Sequence, residues 1–330
     1  MPTTVFTAFS EFLKNNVRID SGRNEVALAS KKNLVSEIIK FPDGDEFPPL
    51  HREQSMDYGS YSRRTKIRPL DDIDIMIILN AQTSVYVDTG AEIEIHVQAD
   101  AKILPSLCYD GTLILNSIKV NNLFKEHLKG VTKYSKAEIK RNQEAVTLNL
   151  DSYEWVYDIV PSMKAHGDGD NTFYLIPDGK GNWKRTDPRV DKERTNSTNA
   201  IHNVSVLDMV RLVKFWASNA SIPEIKSYFL ENLVLNYYTA VDTSVVYEDI
   251  EMVKVLAYIY HNIHNSLEDP KGFQGDINHL SYDERDKVKA KAGDHYFIAV
   301  EARTLEGEKK MEESIAKWRA VFGESFPKYS

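Results

Sequence analysis

The chain has 330 residues, with 41 Lys and Arg against 49 Asp and Glu, so its formal net charge is −8. Hydrophobic residues make up 42% and charged residues 27%, which is typical of a globular protein and excludes a disordered or fibrous chain. No stretch approaches the roughly 20 apolar residues that span a bilayer, and the acidic balance argues against a protein that coats duplex nucleic acid. The single cysteine, Cys108, excludes a disulfide framework and a zinc site of several thiolates.

The start of the chain lacks the basic and apolar regions of a secretory signal, so we expect a cytoplasmic protein with no membrane partner. Residues 4–40 carry apolar side chains at helical spacing. In chain order, further segments are predicted as strands at 73–79, a hairpin at 85–99, a helix at 114–130, and a strand pair at 145–150 and 154–160.

We expect Pro161 to close the second strand of that pair. Residues 167–200 are rich in Gly, Asp, Asn, Lys and Arg, and they are predicted as a long surface connection with a short strand at 173–176. After residue 200 strand signals become scarce. Helical patterns cover 204–219, 223–238, 244–265, 283–305, where the pattern is interrupted, and 309–322. The change predicts an α+β architecture of two lobes, a mixed β-sheet lobe over 1–200 that includes N-terminal bracing helices, and a helical lobe over 201–330.

The candidate functional residues of the sequence are three aspartates, which could bind a metal ion, and one glycine-serine turn, which could bind a phosphate. Asp72 and Asp74 are one residue apart on a predicted strand, so their side chains share a face, and both can stay ionised if a divalent cation lies between them. Asp158 lies in another strand among apolar neighbours, where a carboxylate needs a metal or hydrogen bonds. Gly59 permits a tight turn, and the amide and hydroxyl of Ser60 can cradle a phosphate. Taken singly, these features also fit an exposed strand pair, a carboxylate that accepts loop amides, and a plain turn with a helix cap.

Together they resemble the polymerase-β-like nucleotidyltransferase superfamily. Residues 59–74 follow the pattern Gly-Ser-Tyr-x-Arg-x-Thr-x-Ile-Arg-Pro-Leu-x-Asp-Ile-Asp, which looks like bacterial cyclic-oligonucleotide synthases, the relatives of cyclic GMP-AMP synthase and oligoadenylate synthase. The resemblance covers roughly residues 55–327. Further segments that match this family are Val156–Pro161, Tyr174–Pro177, Trp183–Pro188, Arg211–Trp216, Lys226–Glu231 and Trp318–Pro327.

The resemblance implies a bilobal nucleotidyltransferase whose first lobe is catalytic and whose nucleotides bind in a cleft between the lobes. Asp72 and Asp74 would hold two Mg²⁺ ions, or Mn²⁺ in their place, and Asp158 would join them on the catalytic ion. Gly59 and Ser60 would bind the phosphates of the donor nucleotide. The implied catalytic and metal-binding residues are therefore Asp72, Asp74 and Asp158.

In the helical lobe, the resemblance implies three more nucleotide-binding residues. Lys214 and Ser227 would reach the triphosphate, and Tyr228 would stack on a nucleobase. Each has a plain structural alternative: Lys214 as a surface lysine, Ser227 as a helix-start residue and Tyr228 as part of the core.

The function implied is condensation of nucleoside triphosphates, ATP or GTP among them, into a cyclic di- or trinucleotide with release of pyrophosphate. In the bacterial family this product is a second messenger of anti-phage signalling that activates a separate effector protein. A linear oligonucleotide synthase or an RNA-end nucleotidyltransferase would share every catalytic residue. A protein-nucleotidylating toxin is usually shorter, and an inactive nucleotide-binding regulator should lack a carboxylate.

Two features limit the resemblance. The zinc-binding insertion through which animal cyclic GMP-AMP synthase clamps DNA needs several cysteines, so no activation by DNA is expected with Cys108 alone. Residues 81–113 fit the family pattern poorly and are interpreted as an insertion.

Overall fold

Two α-helices lie within residues 2–40. In the computed structural model, which describes residues 2–90, 92–242 and 244–330, helix α1 spans Val5–Phe12 and continues as a π-helical segment over Leu13–Val17. Helix α2 spans Ser21–Ile38. Thr4 caps α1, because its side chain accepts a hydrogen bond from the backbone N–H of Thr7. The helical prediction for 4–40 is confirmed, with a break before α2.

Nine strands of the described ranges form one mixed sheet, and all of them belong to a compact unit made of residues 22–62 and 70–189. Strands β1 to β9 are Leu50–Asp57, Asp72–Leu79, Val85–Asp88, Ile93–His96, Glu138–Asn142, Ala145–Asn149, Val156–His166, Thr172–Pro177 and Trp183–Thr186. Their order is β1-β2-β7-β8-β9-β4-β3, and β6 joins β7 and β5. Strands β2 and β7 are parallel, and the other pairs are antiparallel.

Helix α2 belongs to this sheet unit from Gly22 onward, and two more described α-helices lie in the same unit. The short helix α3 spans Gly59–Ser62, and α4 spans Ser117–Gly130 with Asn116 as its N-cap. A small apolar core forms around Met76 and Val160 of the central strands. The strand predicted over 73–79, the hairpin over 85–99 and the helix over 114–130 are therefore confirmed.

The second compact unit is helical and comprises residues 2–21, 63–69 and 190–330. Helices α5 to α10 span Pro188–Ile201, Val206–Asn219, Ser227–Ala240, Glu248–Asn262, Tyr282–Gly307 and Met311–Phe322. The core of this unit includes α1, because Phe9 and Phe12 contact the aromatic rings of Phe322 and Phe326. The helical predictions after residue 200 are confirmed.

The boundaries of the units differ from the predicted division at residue 200. The helical unit begins again at Val190, and it also takes the segment up to Ser21 and the segment 63–69. The apolar face of α1 explains the first difference, since Val5, Ala8, Phe9 and Phe12 are fully enclosed in the helical core. Periodicity along the chain predicts that such a face exists, but not which unit buries it.

The prediction that Pro161 closes its strand is wrong, because β7 continues to His166. The N–H of Val156 donates to Asp71 O, on the side of β2. Since amides alternate along a strand, the nitrogen of Pro161 faces the opposite edge. There the register with β6 ends at Ile159 and the register with β8 begins at Met163. Proline therefore falls between two partner strands, where its missing N–H is tolerated.

The surface connection predicted over 167–200 is also wrong in its second half, which contains β9 and helix α5. Apolar periodicity gave no signal because the face that α5 buries is polar, with Asp191, Thr195 and Thr198 among the buried residues. Pro188 at the first helical position is a helix-start feature that the sequence did contain.

None of the helices in the described ranges combines the length and the hydropathy that a bilayer span requires.

Candidate active site

Asp74 and Asp158 lie side by side on the two parallel strands of the sheet. In the β2–β7 register, Asp74 pairs with Asp158 and Asp72 pairs with Val156. Residues directly opposite each other on adjacent strands point to the same face, with strands about 4.8 Å apart. The structure therefore brings together two carboxylates that are far apart in the sequence, and the Oδ1 atom of Asp158 is buried.

Asp72 shares this face because it precedes Asp74 by two residues on the same strand. Both side chains are half-buried, whereas Ile73 and Ile75 between and beyond them are fully buried on the other face. The alternation confirms the sequence prediction that the pair points to one side of a strand.

The Gly59 turn lies directly against Asp74. Gly59 has φ +68°, and a Cβ atom built there would lie 1.7 Å from Oδ2 of Asp74. No side chain fits that space, so the residue must be glycine both for its backbone conformation and for the approach of the carboxylate. Ser60 follows within helix α3. The structure thus brings together Gly59, Ser60 and Asp74.

A cavity of about 380 Å³ opens over these carboxylates. Asp74 and Asp158 contribute to its lining together with the ion pair between Lys184 Nζ and Glu144 Oε1. A second cavity, of about 440 Å³, lies where β2 and β7 end, around Leu79. The described lining of that cavity contains no carboxylate, whereas the lining of the first cavity contains Asp74 and Asp158.

The donor set suits a hard divalent cation, because carboxylate oxygens are the ligands that Mg²⁺ and Mn²⁺ prefer. The space that Gly59 leaves for the Asp74 carboxylate and the buried Oδ1 of Asp158 both fit such an ion. Within residues 2–90, 92–242 and 244–330, however, no three His, Cys, Asp or Glu side chains are grouped closely enough to hold a metal as they stand. The metal-binding role of Asp72, Asp74 and Asp158 therefore stays a prediction.

Lys214 of the helical unit is neither a surface lysine nor open to a ligand as it stands. Its Nζ donates to Glu231 Oε1 at 2.7 Å and to Thr65 O at 3.1 Å, and the residue is only 7% exposed. Arg63 Nε donates to the other oxygen of Glu231 at 2.9 Å. Burial lowers the pKa of Lys214 against the opposing charge of Glu231. This ion triad of Arg63, Lys214 and Glu231 is a feature that the sequence analysis did not find.

Ser227 and Tyr228 begin helix α7, and they have different environments. Ser227 is exposed at the first helical position. Tyr228 is half-buried, and its hydroxyl lies 2.8 Å from Asp191 Oδ1 and 2.8 Å from Asp269 Oδ1. Burial, reinforced by both carboxylates, raises the pKa of Tyr228. Lys271 Nζ lies 3.9 Å from the centre of the Tyr228 ring.

The structure thus groups the predicted residues in two sets. Asp72, Asp74, Asp158, Gly59 and Ser60 belong to the sheet unit. The helical unit contains Lys214, Ser227 and Tyr228. Sequence reasoning missed Asp269 and Lys271, which contact Tyr228, because they lie in a loop without a motif.

Comparison with known proteins supports the family that the sequence resembles. No protein-family model matches the chain. It is 39% identical over all of its length, and 99% of the relative's, to a Bacillus cereus (strain VD146) protein named "Probable cyclic nucleotide synthase". It is 24% identical, over 97% of its length and 91% of the relative's, to a cyclic AMP-AMP-GMP synthase of Enterobacter hormaechei. The structure of Escherichia coli MS115-1 CdnC with ATP matches with a TM-score of 0.69 at 15% identity, over 98% of both chains.

The fold is therefore that of nucleotidyltransferases, a mixed sheet with a helical C-terminal region, as expected from the resemblance. Because the Bacillus cereus relative is similar over the whole chain, the protein belongs to the bacterial cyclic nucleotide synthases, which are enzymes related to cyclic GMP-AMP synthase.

Proposed function

We propose that this enzyme condenses nucleoside triphosphates, ATP or GTP among them, into a cyclic di- or trinucleotide and releases pyrophosphate. The observation that carries the proposal is the strand register that pairs Asp74 with Asp158, together with the close approach of Gly59 to the Asp74 carboxylate. The name of the Enterobacter hormaechei relative supports a cyclic trinucleotide as one form of the product.

The residues of the sheet unit would bind the phosphates and the metal ions, and they would thereby orient the reacting groups. The left-handed backbone of Gly59 allows a phosphate to approach the amide groups of the turn, and Ser60 adds a hydroxyl donor. Asp72, Asp74 and Asp158 would hold Mg²⁺ or Mn²⁺. Two such ions, when bound, would favour deprotonation of the attacking ribose hydroxyl and neutralise the departing pyrophosphate. In the helical unit, Ser227 would contact the triphosphate and Tyr228 a nucleobase. Lys214 would join them only by exchanging its bond to Glu231 for a phosphate oxygen.

The biological role that we propose is anti-phage signalling, in which the cyclic product activates a separate effector protein. This part of the proposal is supported by the family to which the chain belongs. It is tested by adding the purified product to candidate effectors, with the linear product of the same nucleotides as control.

The reaction is tested by incubating the purified chain with four labelled nucleoside triphosphates and Mg²⁺, then treating the product with phosphatase and with a 3′-5′-specific nuclease. A product that resists phosphatase supports cyclisation. A ladder of phosphatase-sensitive products would instead identify a linear oligonucleotide synthase. Extension of an RNA oligonucleotide that is added to a parallel reaction would identify an RNA nucleotidyltransferase.

Asp74→Asn and Asp72→Asn test the carboxylates. An amide cannot supply an anionic ligand, so we expect synthesis to fall by about 10³-fold while the circular-dichroism spectrum is unchanged. Asp71→Asn is the matched control, because Asp71 is exposed and precedes the strand by one residue, so it alternates to the other side. Near-normal synthesis by either Asp72→Asn or Asp74→Asn would refute the two-metal assignment.

A further inference from the structure

Tyr228 is held by three charged side chains that belong to no motif of the sequence. Its hydroxyl lies 2.8 Å from Asp191 Oδ1 of helix α5 and 2.8 Å from Asp269 Oδ1. Because a phenol has one proton, it donates to one carboxylate at a time. The hydroxyl oxygen also accepts a hydrogen bond from Lys271 Nζ. The hydroxyl end of the ring is therefore held by two hydrogen-bond acceptors, which are the carboxylates, and by one donor, which is the ammonium group of Lys271.

Lys271 completes this arrangement because its ammonium group satisfies both carboxylates. Its Nζ lies 3.2 Å from Asp191 Oδ2 and 3.3 Å from Asp269 Oδ1. The side chain of Lys271 is only 5% exposed, and that of Asp269 is fully buried. Without the ammonium group, two buried carboxylates would face the phenol with a single proton among them, and like charges at that distance repel.

The loop that carries Asp269 and Lys271 is itself organised around Asp269. The carboxylate of Asp269 accepts hydrogen bonds from the backbone N–H of Lys271 and of Phe273, both at 3.3 Å. Its backbone N–H donates to Gly275 O at 2.8 Å. These hydrogen bonds within the loop hold the backbone of Lys271 close to Asp269.

Lys271 also contacts the aromatic surface of Tyr228. Its Nζ lies 3.9 Å from the ring centre, well within the range of a cation–π interaction, and the Arg63 guanidinium lies 5.7 Å from the same centre. A change of χ1 would break the hydroxyl contacts, and a change of χ2 would turn the ring face away from Lys271 and Arg63. The side chain that would stack on a nucleobase is therefore restricted before any nucleotide binds.

We propose that Asp191, Asp269 and Lys271 are positioning residues that fix the Tyr228 ring for contact with a nucleobase. The proposal rests on the proposed function, in which Tyr228 stacks on a base. A preorganised ring binds more tightly because its rotamer freedom is already lost in the free enzyme. Lys271 acts on the nucleotide through Tyr228 and does not touch it.

The test is a double-mutant cycle on nucleotide binding. Lys271→Met keeps the length of the side chain and removes its charge, and it is measured in the natural chain and together with Tyr228→Ala. The probe is the non-reactive α,β-methylene analogue of ATP, titrated calorimetrically with Mg²⁺. Stacking on an aromatic ring contributes directly to nucleotide affinity, so we expect Lys271→Met to weaken binding by about five- to tenfold. In the Tyr228→Ala chain the same change should have almost no effect.

Two further variants separate positioning from stability. Lys271→Arg retains the charge and should restore most of the affinity. Lys254→Met is the matched control, because Lys254 also pairs with a buried carboxylate of the helical unit, Glu251, at 2.8 Å. It should leave the affinity unchanged even where it lowers the melting temperature. If Lys271→Met fails to fold, Asp269→Asn replaces it in the cycle.

The outcomes distinguish the two proposals. Equal effects of Lys271→Met with and without Tyr228 would overturn the positioning role while leaving the enzyme a nucleotide-binding protein. Unchanged affinity in Tyr228→Ala would also overturn it, since the ring would then not contact the nucleotide. A natural chain that binds neither this probe nor the corresponding GTP analogue would overturn the proposed function itself.

Discussion

Gly59 combines a left-handed backbone with the close approach of a carboxylate. Its φ of +68° is a conformation that residues with a Cβ adopt only with strain, and the space beside it is filled by Asp74. The two features are separable, because other glycines of the sheet unit have the left-handed backbone without a close carboxylate. Gly169, for example, has φ +65° and no heavy atom within 4 Å of a built Cβ.

We expect Gly59→Ala to lower synthesis by about 10²-fold, because a displacement of about 1 Å at a reacting group has that effect. Gly169→Ala carries the same backbone strain, about 1–2 kcal/mol, and should keep its rate of synthesis. Both variants are compared by initial rates and by urea unfolding. Similar rates for Gly59→Ala and Gly169→Ala would contradict a catalytic role for the contact with Asp74.

At the scale of elements, the buried charge on helix α7 has a large expected effect on stability. Glu231 is buried between Arg63 of the segment 63–69 and Lys214 of helix α6. An ion triad of this kind costs desolvation when it forms, so its presence does not by itself imply extra stability. Removing its one negative charge, however, leaves two cations buried together.

We therefore expect Glu231→Gln to lower the free energy of unfolding by about 3–5 kcal/mol. Glu301→Gln is the control, because Glu301 pairs with Lys317 at 2.7 Å where both side chains are more than a third exposed. Such a surface pair contributes at most about 1 kcal/mol. Urea unfolding followed by circular dichroism measures both. Equal losses of unfolding free energy would show that Glu231 contributes no more to stability than one partner of a surface ion pair.

The same triad predicts how stability depends on pH. Burial alone would raise the pKa of Glu231, but the charges of Arg63 and Lys214 outweigh it and lower the pKa to about 2 from its ordinary value of 4.5. The unfolded chain thus takes up the proton more readily. The stabilisation by the carboxylate, about 3 kcal/mol, is fully present above pH 4.5 and is lost as the pH falls towards 2.

The measurement is urea unfolding of the natural chain and of Glu231→Gln at several pH values below neutral. The difference between their free energies of unfolding should be constant at and above about pH 5 and should narrow as the pH falls below that value. A difference that stays constant down to about pH 3 would mean that folding does not lower the pKa of Glu231.

At the scale of the whole molecule, the beginning and the end of the chain share one core. The ring of Phe12 in helix α1 lies 4.9 Å from that of Phe215, 5.2 Å from that of Phe322 and 5.0 Å from that of Phe326. Phe12 is fully buried, whereas Phe6 of the same helix is 51% exposed. The helical unit is thus closed by a segment that precedes the whole sheet unit in the sequence.

We expect Phe12→Ala to cost about 3–5 kcal/mol of the free energy of unfolding, as large-to-small changes in a packed core do. Phe6→Ala, in the same helix, should cost less than about 1 kcal/mol, because its ring is half exposed. Thermal and urea unfolding compare the two. Equal costs would mean that α1 contributes through its helix alone and not through the aromatic contacts.

Local geometry explains what could be predicted from the sequence. The spacing of Asp72 and Asp74 places both on one face of any strand, and the strand itself follows from its run of β-branched residues. Glycine followed by serine before that strand predicts a turn. These inferences depend on neighbours within a few residues, so they hold whatever the rest of the chain does. The resemblance then assigned Asp158, which no local rule relates to Asp74.

The tertiary structure alone decided the pairings between distant segments. The register that places Asp158 beside Asp74 joins residues more than eighty positions apart, and Lys271 meets Tyr228 only because a loop packs against helix α7. Helix α5 escaped prediction because its buried face is made of Asp191, Thr195 and Thr198. Periodicity records which side of an element is apolar, but the choice of partner is made by packing and by buried charges, whose energies depend on the whole fold.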